Sequence, residues 1–336
     1  MTDVAERPPL LSVRGLTVSF ATHGGTAHAV RGVDFDVAAG ETVGIVGESG
    51  SGKSVTALAI MGLLAENAVV SGSIKLQGKE LVGMDRRALR KIRGKQVGMV
   101  FQDPLTSLNP VVSVGKQLSE ALLIHNAGMS KRDARRKSVE LLQMVSIPDA
   151  ERRLDSYPFE LSGGMRQRVM IAMAMSNEPS LVIADEPTTA LDVTIQAQVL
   201  DVLQAVQREH NIGVMLITHD LGVVAGLVSR VLVMYAGRVV ESGSINPVFE
   251  SPGHPYTRGL LACLPRLDRP RFELVPIKGV PPSAARIPAG CAFHPRCPHA
   301  TERCAAEEPP LADHGPTRAA CHYADDVRQI PLPASL

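Results

Sequence analysis

Residues 47–54 of the chain, G-E-S-G-S-G-K-S, fit the pattern G-x-x-x-x-G-K-[ST] of a phosphate-binding loop, or P-loop. A short β-favouring run at 41–46 precedes the loop, and an apolar, helix-favouring run at 55–64 follows it. The loop therefore lies between a strand and a helix, as the pattern requires. Glycines let backbone N–H groups turn inward around an anion, and the helix N-terminus adds a partial positive charge. This stretch predicts a site for nucleotide phosphates.

Two side chains of the P-loop have predicted roles of their own. Lys53 can reach the β- and γ-phosphates of a nucleotide, and Ser54 can hold Mg²⁺. The residues predicted to bind nucleotide here are Gly47, Glu48, Ser49, Gly50, Ser51, Gly52, Lys53, Ser54 and Val55.

Length and composition exclude several classes of protein. A chain of 336 residues with 45% hydrophobic residues is long enough for about two globular domains. The net charge of +1 and the absence of Trp argue against a nucleic-acid partner, which needs positive charge or stacking aromatics. We find no signal peptide and no apolar run of about 18 residues that could span a membrane. The five cysteines all lie beyond residue 260, which does not suggest a disulfide scaffold, so we expect a cytoplasmic protein.

Strands and helices alternate along much of the chain, which predicts an α/β fold with a largely parallel, covered sheet. Alternating runs at 11–40 predict antiparallel strands ahead of the P-loop, and 97–101 predicts a buried strand that ends at Gln102. Helical patterns within 103–160 predict a helical insertion. The elements predicted after it are a helix at 163–176, a strand at 181–184, a helix at 194–210 and a strand at 214–218.

Prolines become frequent from about residue 246 and interrupt any long element. We therefore predict one domain at 10–250, which includes a helical subdomain at 103–160. A small, irregular domain rich in Cys and Pro is predicted at 251–336.

Two carboxylates follow the apolar run at 181–184. A buried parallel strand delivers the residues at its C-terminal end to the ligand edge of the sheet. Asp185 is then placed to organise Mg²⁺, and Glu186 to polarise a water for attack on a γ-phosphate.

A second helix start carries glycines at 163 and 164. Ser162 is a suitable N-cap residue, and capping alone is enough to explain a serine at this position. Two successive glycines weaken the first helical turn, so capping does not explain Gly163 and Gly164. Bare N–H groups at this helix start suit a further phosphate contact.

At this point the chain resembles the ATP-binding cassette (ABC) ATPases, over about residues 10–245. Residues 161–167 resemble the signature motif of that family, and Gln102 resembles its Q-loop glutamine. Phe20 resembles the aromatic residue that stacks on adenine. Asp185 and Glu186 resemble the Walker B pair, and His219 resembles the switch histidine. The triplet at 190–192, Ala190, Leu191 and Asp192, resembles the D-loop.

The resemblance implies a P-loop NTPase fold with an antiparallel β subdomain and an α-helical subdomain. It also implies an ATPase in which two cassettes pair head to tail, so that each ATP lies between the P-loop of one chain and the signature motif of the other. Ser162, Gly163, Gly164 and Asp192 would then contact nucleotide across the pair. The catalytic residues implied are Lys53, Gln102, Glu186 and His219, and Mg²⁺ would be held by Ser54, Gln102 and Asp185.

The C-terminal part narrows the resemblance to the ATPases of oligopeptide and dipeptide importers. Residues 254–261, 290–297 and 103–110 all look like that subfamily. The implied partners are two membrane-spanning permease subunits, a second, related ATPase subunit and an extracytoplasmic peptide-binding protein. The implied location is the cytoplasmic face of the cell membrane. The ATPases of nickel and glutathione importers share these features, so nickel and glutathione remain alternatives to peptides as the transported solute. A soluble ABC protein without a transport role remains the alternative class, although no second P-loop and no long coiled coil accompanies this one.

Four cysteines, Cys291, Cys297, Cys304 and Cys321, follow the spacing C-x5-C-x6-C-x16-C. Four thiolates in a loop-rich, Pro-rich segment can hold a [4Fe–4S] cluster or Zn²⁺, and free or disulfide-bonded cysteines are the other alternative. Some members of the peptide-importer subfamily carry an iron–sulfur cluster here, so the resemblance favours [4Fe–4S]. Cys263 lies apart and is predicted to be buried filler.

Overall fold

The computed structural model describes residues 8–22, 24–189, 191–264 and 276–331. Two compact units are built from interleaved segments of the chain. The first unit comprises residues 1–11, 36–41 and 75–217, and the second comprises 12–35, 42–74 and 218–336.

Strands and helices occupy most of these residues. The strands are β1 Leu11–Thr22, β2 Gly25–Val37, β3 Thr42–Val46, β4 Ala68–Leu76, β5 Lys79–Glu80, β6 Val97–Val100, β7 Leu181–Asp185, β8 Gly213–Thr218, β9 Arg230–Tyr235, β10 Arg238–Ser244, β11 Ala312–His314 and β12 Thr317–Ala319. The helices are α1 Lys53–Met61, α2 Arg86–Ile92, α3 Pro104–Ser107, α4 Val114–His125, α5 Lys131–Met144, α6 Ala150–Arg153, α7 Gly163–Met175, α8 Val193–His210, α9 Leu221–Val224, α10 Ile245–Glu250, α11 Pro255–Ala262, α12 Glu302–Ala306 and α13 Ala324–Gln329. Two 3₁₀ turns lie at Pro158–Glu160 and His294–Arg296.

The first unit contains three neighbouring parallel strands, in the order β8-β7-β6. Val97 pairs with Leu181, and Leu181 in turn pairs with Gly213. Every residue of β7 and β8 is buried. Such strands are covered on both faces, which explains why they are continuous apolar runs without alternation. The parallel sheet predicted from the sequence is confirmed.

Helices α3, α4, α5 and α6 of the first unit lie within the segment 103–160, for which a helical insertion was predicted. Short polar side chains start two of these helices. Asp103 accepts a hydrogen bond from the N–H of Leu105, and Ser130 accepts one from Asp133. These bonds satisfy backbone donors that a helix start leaves without partners.

The second unit contains β3 in parallel pairing with β9, and β9 in antiparallel pairing with β10. No strand was predicted at 230–244 from the sequence. A tight turn at Ala236 and Gly237, with φ of 47° and 80°, joins β9 to β10. Two consecutive positive φ values are the requirement of a type I′ hairpin turn. Gly237 suits such a turn, but Ala236 is not among the residues favoured at its first position, so the sequence carries only a weak local signal for this hairpin.

The C-terminal region contains more regular structure than the irregular domain expected from its prolines. Pro255 lies in the first turn of α11, and Pro295 in the first turn of the 3₁₀ helix at His294–Arg296. Proline suits the first helical turn because its missing N–H has no partner there. The hairpin of β11 and β12 extends the sheet, since Glu241 of β10 pairs with Ala319 of β12.

The buried side chain of Glu241 binds several segments of the C-terminal region through hydrogen bonds. The side chain is fully buried and accepts hydrogen bonds from the N–H of Gly253, the N–H of His254 and the hydroxyl of Thr317, at 2.6, 3.0 and 3.0 Å. Burial raises the pKa of the Glu241 carboxyl.

His254 is buried beside this carboxyl group's partners and caps α11. Burial lowers the pKa of His254 to about 3, so its ring is neutral at physiological pH. The Nδ1 atom of His254 accepts from the N–H of Tyr256 at 3.1 Å and thereby caps α11.

Candidate functional site

The P-loop joins β3 to α1 in the second unit, as predicted. Gly47 has a φ of 156°, and a Cβ atom there would lie 2.2 Å from the carbonyl oxygen of Met234. Gly52 has a φ of 102°, and a Cβ atom would lie 2.5 Å from the carbonyl oxygen of Ala29. Both contacts are far closer than real Cβ atoms allow. These two glycines are therefore required by the path of the loop itself.

Lys53 is buried under the loop, at 4% exposure. Its Nζ donates hydrogen bonds to the carbonyl oxygens of Gly47 and Glu48, at 2.7 and 3.0 Å. The loop backbone therefore holds the ammonium group that the sequence assigns to the nucleotide phosphates. Such positioning and charge neutralisation supply most of the catalysis of phosphoryl transfer.

The start of α1 fits an anion. Its N-cap is Gly52, and no side chain caps the first turn. The first N–H groups of a helix have no partner within the helix, and they carry the positive end of its dipole. The hydroxyl of Ser51 is buried and has no hydrogen-bond partner among the described residues. A nucleotide phosphate supplies acceptor oxygens for such donors.

The first unit brings together two predicted catalytic residues. Gln102, just beyond β6, donates from Nε2 to Oε2 of Glu186 at 3.0 Å. The hydroxyl of Thr189 lies 2.9 Å from the same oxygen and donates to it. Thr189 was not predicted from the sequence. Its position three residues after Glu186, in a turn, is the signal that could have identified it.

Glu186 has a left-handed backbone, with φ of 48°. Its N–H donates to the carbonyl oxygen of Ile217 at 2.8 Å, directly after the pairing of Asp185 with Ile217. Asp185 is 6% exposed, whereas Glu186 is half-buried. A non-glycine residue in this conformation costs on the order of 1–3 kcal/mol, and such residues cluster at functional sites. At the end of β7 the fold thus buries Asp185 and leaves Glu186 half-buried.

The predicted signature residues begin α7. Ser162 is its N-cap and accepts from the N–H of Met165 at 3.3 Å. A Cβ atom on Gly164 would lie 2.4 Å from Cγ2 of Ile195. Gly164 therefore has a packing role that the sequence analysis did not foresee, in addition to its predicted phosphate contact. Asp192 is the N-cap of α8 and accepts from the N–H of Ile195 at 2.9 Å. Ala190 of the predicted D-loop lies outside the described residues.

Two predicted nucleotide contacts lie elsewhere in the second unit. Phe20 is half-buried near the end of β1, and His219 is exposed just after β8. The hydroxyl of Thr218 accepts from the N–H of Asp220 at 3.1 Å, which shapes the turn that carries His219. The nucleotide and Mg²⁺ contacts assigned to these residues remain predictions.

The structure brings the four C-terminal cysteines, Cys291, Cys297, Cys304 and Cys321, to one cavity. All four line about 360 Å³ of atom-free space, part of it open to solvent. Burial, with a smaller contribution from the neighbouring thiols, raises the pKa of Cys297 to about 11 and that of Cys321 to about 12. None of these four is in a disulfide bond, and Cys263 does not line this cavity.

Four cysteine thiolates are the ligand set that a [4Fe–4S] cluster uses. A structural Zn²⁺ ion is held by thiolates at Zn–S distances of about 2.3 Å. Within the described ranges, no group of three or more His, Cys, Asp or Glu side chains could hold a metal ion as placed. The assignment of a metal to these cysteines therefore remains a prediction.

No helix in the described part of the chain is both long enough and apolar enough to cross a membrane.

Comparison with known proteins agrees with this geometry. The family model described as ABC transporter matches residues 30–189. The model described as oligopeptide/dipeptide transporter, C-terminal region, matches residues 240–304. The oligopeptide transport ATP-binding protein OppD of Salmonella typhimurium is 54% identical over 309 residues, or 92% of each chain. A putative peptide import ATP-binding protein of Brucella melitensis is 54% identical over 91% of this chain and 94% of the relative.

Solved structures show the same architecture. A dimeric bacterial ABC transporter cassette, MJ0796, has a TM-score of 0.63 and 29% identity, and covers 70% of this chain and 99% of its own. The same cassette bound to ADP and Pi in a post-hydrolysis state has a TM-score of 0.64 and 28% identity. Fold and site together define an ABC ATPase. Within that class, the chain belongs to the family of oligopeptide transport ATP-binding proteins.

Proposed function

We propose that this chain is the ATP-hydrolysing subunit of a membrane importer for dipeptides and oligopeptides. The observation that carries the proposal is the extent of the similarity. It runs over both the ATPase segment and the C-terminal region, and relatives named for oligopeptide transport match 92% of the chain. The C-terminal match favours peptide transport over a soluble ABC protein.

The proposed roles follow the motifs. The P-loop N–H groups and Lys53 bind the phosphates, Phe20 stacks on adenine, and Glu186 polarises the attacking water beside His219. Mg²⁺, when bound, neutralises phosphate charge, and Ser54, Gln102 and Asp185 would hold it. Residues 162–164 and Asp192 would contact the nucleotide bound to a paired ATPase subunit.

We propose that the chain works peripherally at the cytoplasmic face of the membrane. Its partners would be two permease subunits, a second, homologous ATPase subunit and an extracytoplasmic peptide-binding protein. These partners follow from the importer assignment, because a chain that hydrolyses ATP needs other subunits to form the path of the solute.

The function can be tested with the assembled importer in proteoliposomes. We expect ATP hydrolysis to rise several-fold when the peptide-loaded binding protein is added, and labelled peptide to accumulate in step with hydrolysis. Nickel and glutathione serve as matched alternative solutes. Uptake of nickel or glutathione in place of peptides would contradict the proposed solute but not the importer assignment. Hydrolysis without any coupled uptake would contradict the importer assignment itself.

We further propose that Cys291, Cys297, Cys304 and Cys321 ligate one [4Fe–4S] cluster with a structural role. Their shared cavity supports this proposal. Cross-linking a loop-rich region should stabilise its folded form by several kcal/mol, of about the size other cross-links and structural metals give.

Anaerobically purified protein should be brown, absorb broadly at about 400 nm and contain about four irons per chain. We expect Cys304→Ser to lose the iron and to increase proteolysis beyond residue 285. Cys304 is the suitable target because it is 7% exposed and its carbonyl oxygen accepts from the N–H of Cys291. Cys263→Ser is the matched control and should change neither property. Stoichiometric zinc without iron would contradict the cluster, and a metal-free chain with equal protease resistance would contradict any metal.

A further inference from the structure

The beginning of the P-loop is held by the C-terminal region. The two carboxylate oxygens of Glu48 accept hydrogen bonds from Nη1 and Nη2 of Arg296, at 2.6 and 3.0 Å. The backbone N–H of Glu48 donates to the phenol oxygen of Tyr256 at 2.7 Å. Arg296 and Tyr256 lie 248 and 208 positions further along the chain. Neither was predicted to be a site residue.

Arg296 is built into its position. Its side chain is only 4% exposed, and its Nε donates to the carbonyl oxygen of Lys278 at 3.0 Å. Its guanidinium carbon lies 5.8 and 5.9 Å from the ring centres of Tyr235 and Phe293. A planar fork that pairs with both oxygens of one carboxylate while resting on aromatic rings is a geometry that lysine cannot reproduce.

Tyr256 is equally fixed. It is fully buried, and its ring centre lies 4.7 Å from that of Tyr235 and 5.5 Å from that of Phe293. Its backbone N–H is bound by His254. Burial raises the pKa of the phenol well above its ordinary value, so the group is neutral at physiological pH.

Glu48 also contacts the lysine of the site, because its carbonyl oxygen accepts from Nζ of Lys53 at 3.0 Å. One residue of the loop therefore has three anchors. Its side chain is bound by Arg296, its N–H by Tyr256, and its carbonyl group by Lys53.

We propose that Arg296 and Tyr256 are positioning residues of the P-loop, which act through Glu48 to hold Lys53 where it meets nucleotide phosphates. This inference rests on the proposed nucleotide site at 47–54. A group that is fixed before the ligand arrives loses less conformational freedom on binding. Releasing Glu48 should therefore weaken nucleotide affinity without removing any group that touches the nucleotide.

The test measures equilibrium binding of ATP with Mg²⁺ to the purified full chain. Arg296→Met keeps the length of the side chain and removes its fork, and we expect the Kd for ATP to rise on the order of tenfold. Arg296→Lys keeps the positive charge but cannot pair with both carboxylate oxygens. Its Kd for ATP should therefore lie between the values of the unaltered chain and of Arg296→Met. Tyr256→Phe removes a single acceptor and should raise the Kd about threefold.

Two controls separate positioning from folding. Arg303 is an exposed arginine of α12 that pairs with Glu307, the C-cap residue of the same helix. Arg303→Met should leave the Kd for ATP unchanged. The second control compares Glu48→Gln, Arg296→Met and the double variant that carries both changes. The double variant should bind ATP no more weakly than the weaker-binding single variant, because both changes interrupt the same contact.

Unchanged ATP affinity in both Arg296→Met and Tyr256→Phe, with affinity lost in Lys53→Ala, would show that Arg296 and Tyr256 only dock the C-terminal region, and would overturn the inference. Unchanged affinity in Lys53→Ala would instead refute the proposed nucleotide site. If proteolysis shows that Arg296→Met unfolds the region beyond residue 285, Tyr256→Phe decides, because it keeps the buried ring.

Discussion

Glu186→Gln is expected to leave ATP binding intact and to lower the rate of hydrolysis by about 10²–10⁴-fold. The amide has nearly the same shape as the carboxylate but cannot take a proton from the attacking water. Its oxygen can still accept from Gln102 and Thr189, which donate to Oε2 of Glu186 at 3.0 and 2.9 Å. The local structure should therefore survive, and the loss should appear in kcat.

The measurement is single-turnover hydrolysis by the assembled transporter together with ATP binding by the same preparation. Thr189→Val is a useful companion variant, because it removes one hydrogen bond to the carboxylate and leaves the acid in place. We expect its loss of rate to be much smaller than that of Glu186→Gln. Near-normal hydrolysis by the Gln variant would be incompatible with Glu186 as the residue that polarises water.

Ser162→Arg is expected to lower hydrolysis at the paired site by at least about 10²-fold while ATP still binds to the P-loop of the isolated chain. The proposed role of Ser162 is to contact the nucleotide of the partner subunit. A bulky cation there would occupy a phosphate contact that a small hydroxyl leaves open.

The structure supplies the control for this experiment. Ser162 also caps α7 through the N–H of Met165, so any substitution that removes the cap costs about 1 kcal/mol of helix stability. Ser162→Ala carries that cost without the cation and should fold as the Arg variant does. Loss of ATP binding by the isolated Arg variant, with Ser162→Ala unaffected, would show that Ser162 acts on its own chain's nucleotide.

Local patterns sufficed for the parts of the site that lie within short stretches of sequence. The P-loop was predictable because the glycines, Lys53 and the flanking strand and helix are contiguous. The place of Asp185 and Glu186 at the end of β7 was predictable, because the apolar run at 181–184 is typical of a buried parallel strand, whose C-terminal end lies at the ligand edge of the sheet. The parallel sheet was predictable from the alternation of strands and helices, whereas β9 and β10 were not predicted and the order of the strands in the sheets is known only from the structure.

Contacts between distant segments could not be predicted in this way. Gly164 is required by Ile195, thirty-one positions later, and the pairing of Glu48 with Arg296 spans 248 positions. Neither contact leaves a periodic signal, since each joins single residues in elements whose packing is known only from the fold. Thr189 lies in a turn whose shape depends on the left-handed backbone of Glu186, which the sequence did not reveal.

The pairing of β12 with β10 also affects how the chain avoids aggregation. An unpaired strand edge offers its N–H and C=O groups to any other chain, and long, flat, apolar edges are the most hazardous. β12 covers β10, which is largely buried, and β11 covers β12. The last strand in this direction has only three residues, one of them the exposed Asp313. A chain cut after residue 250 would leave the edge of β10 without β12, and the unpaired N–H and C=O groups there would be available to another chain.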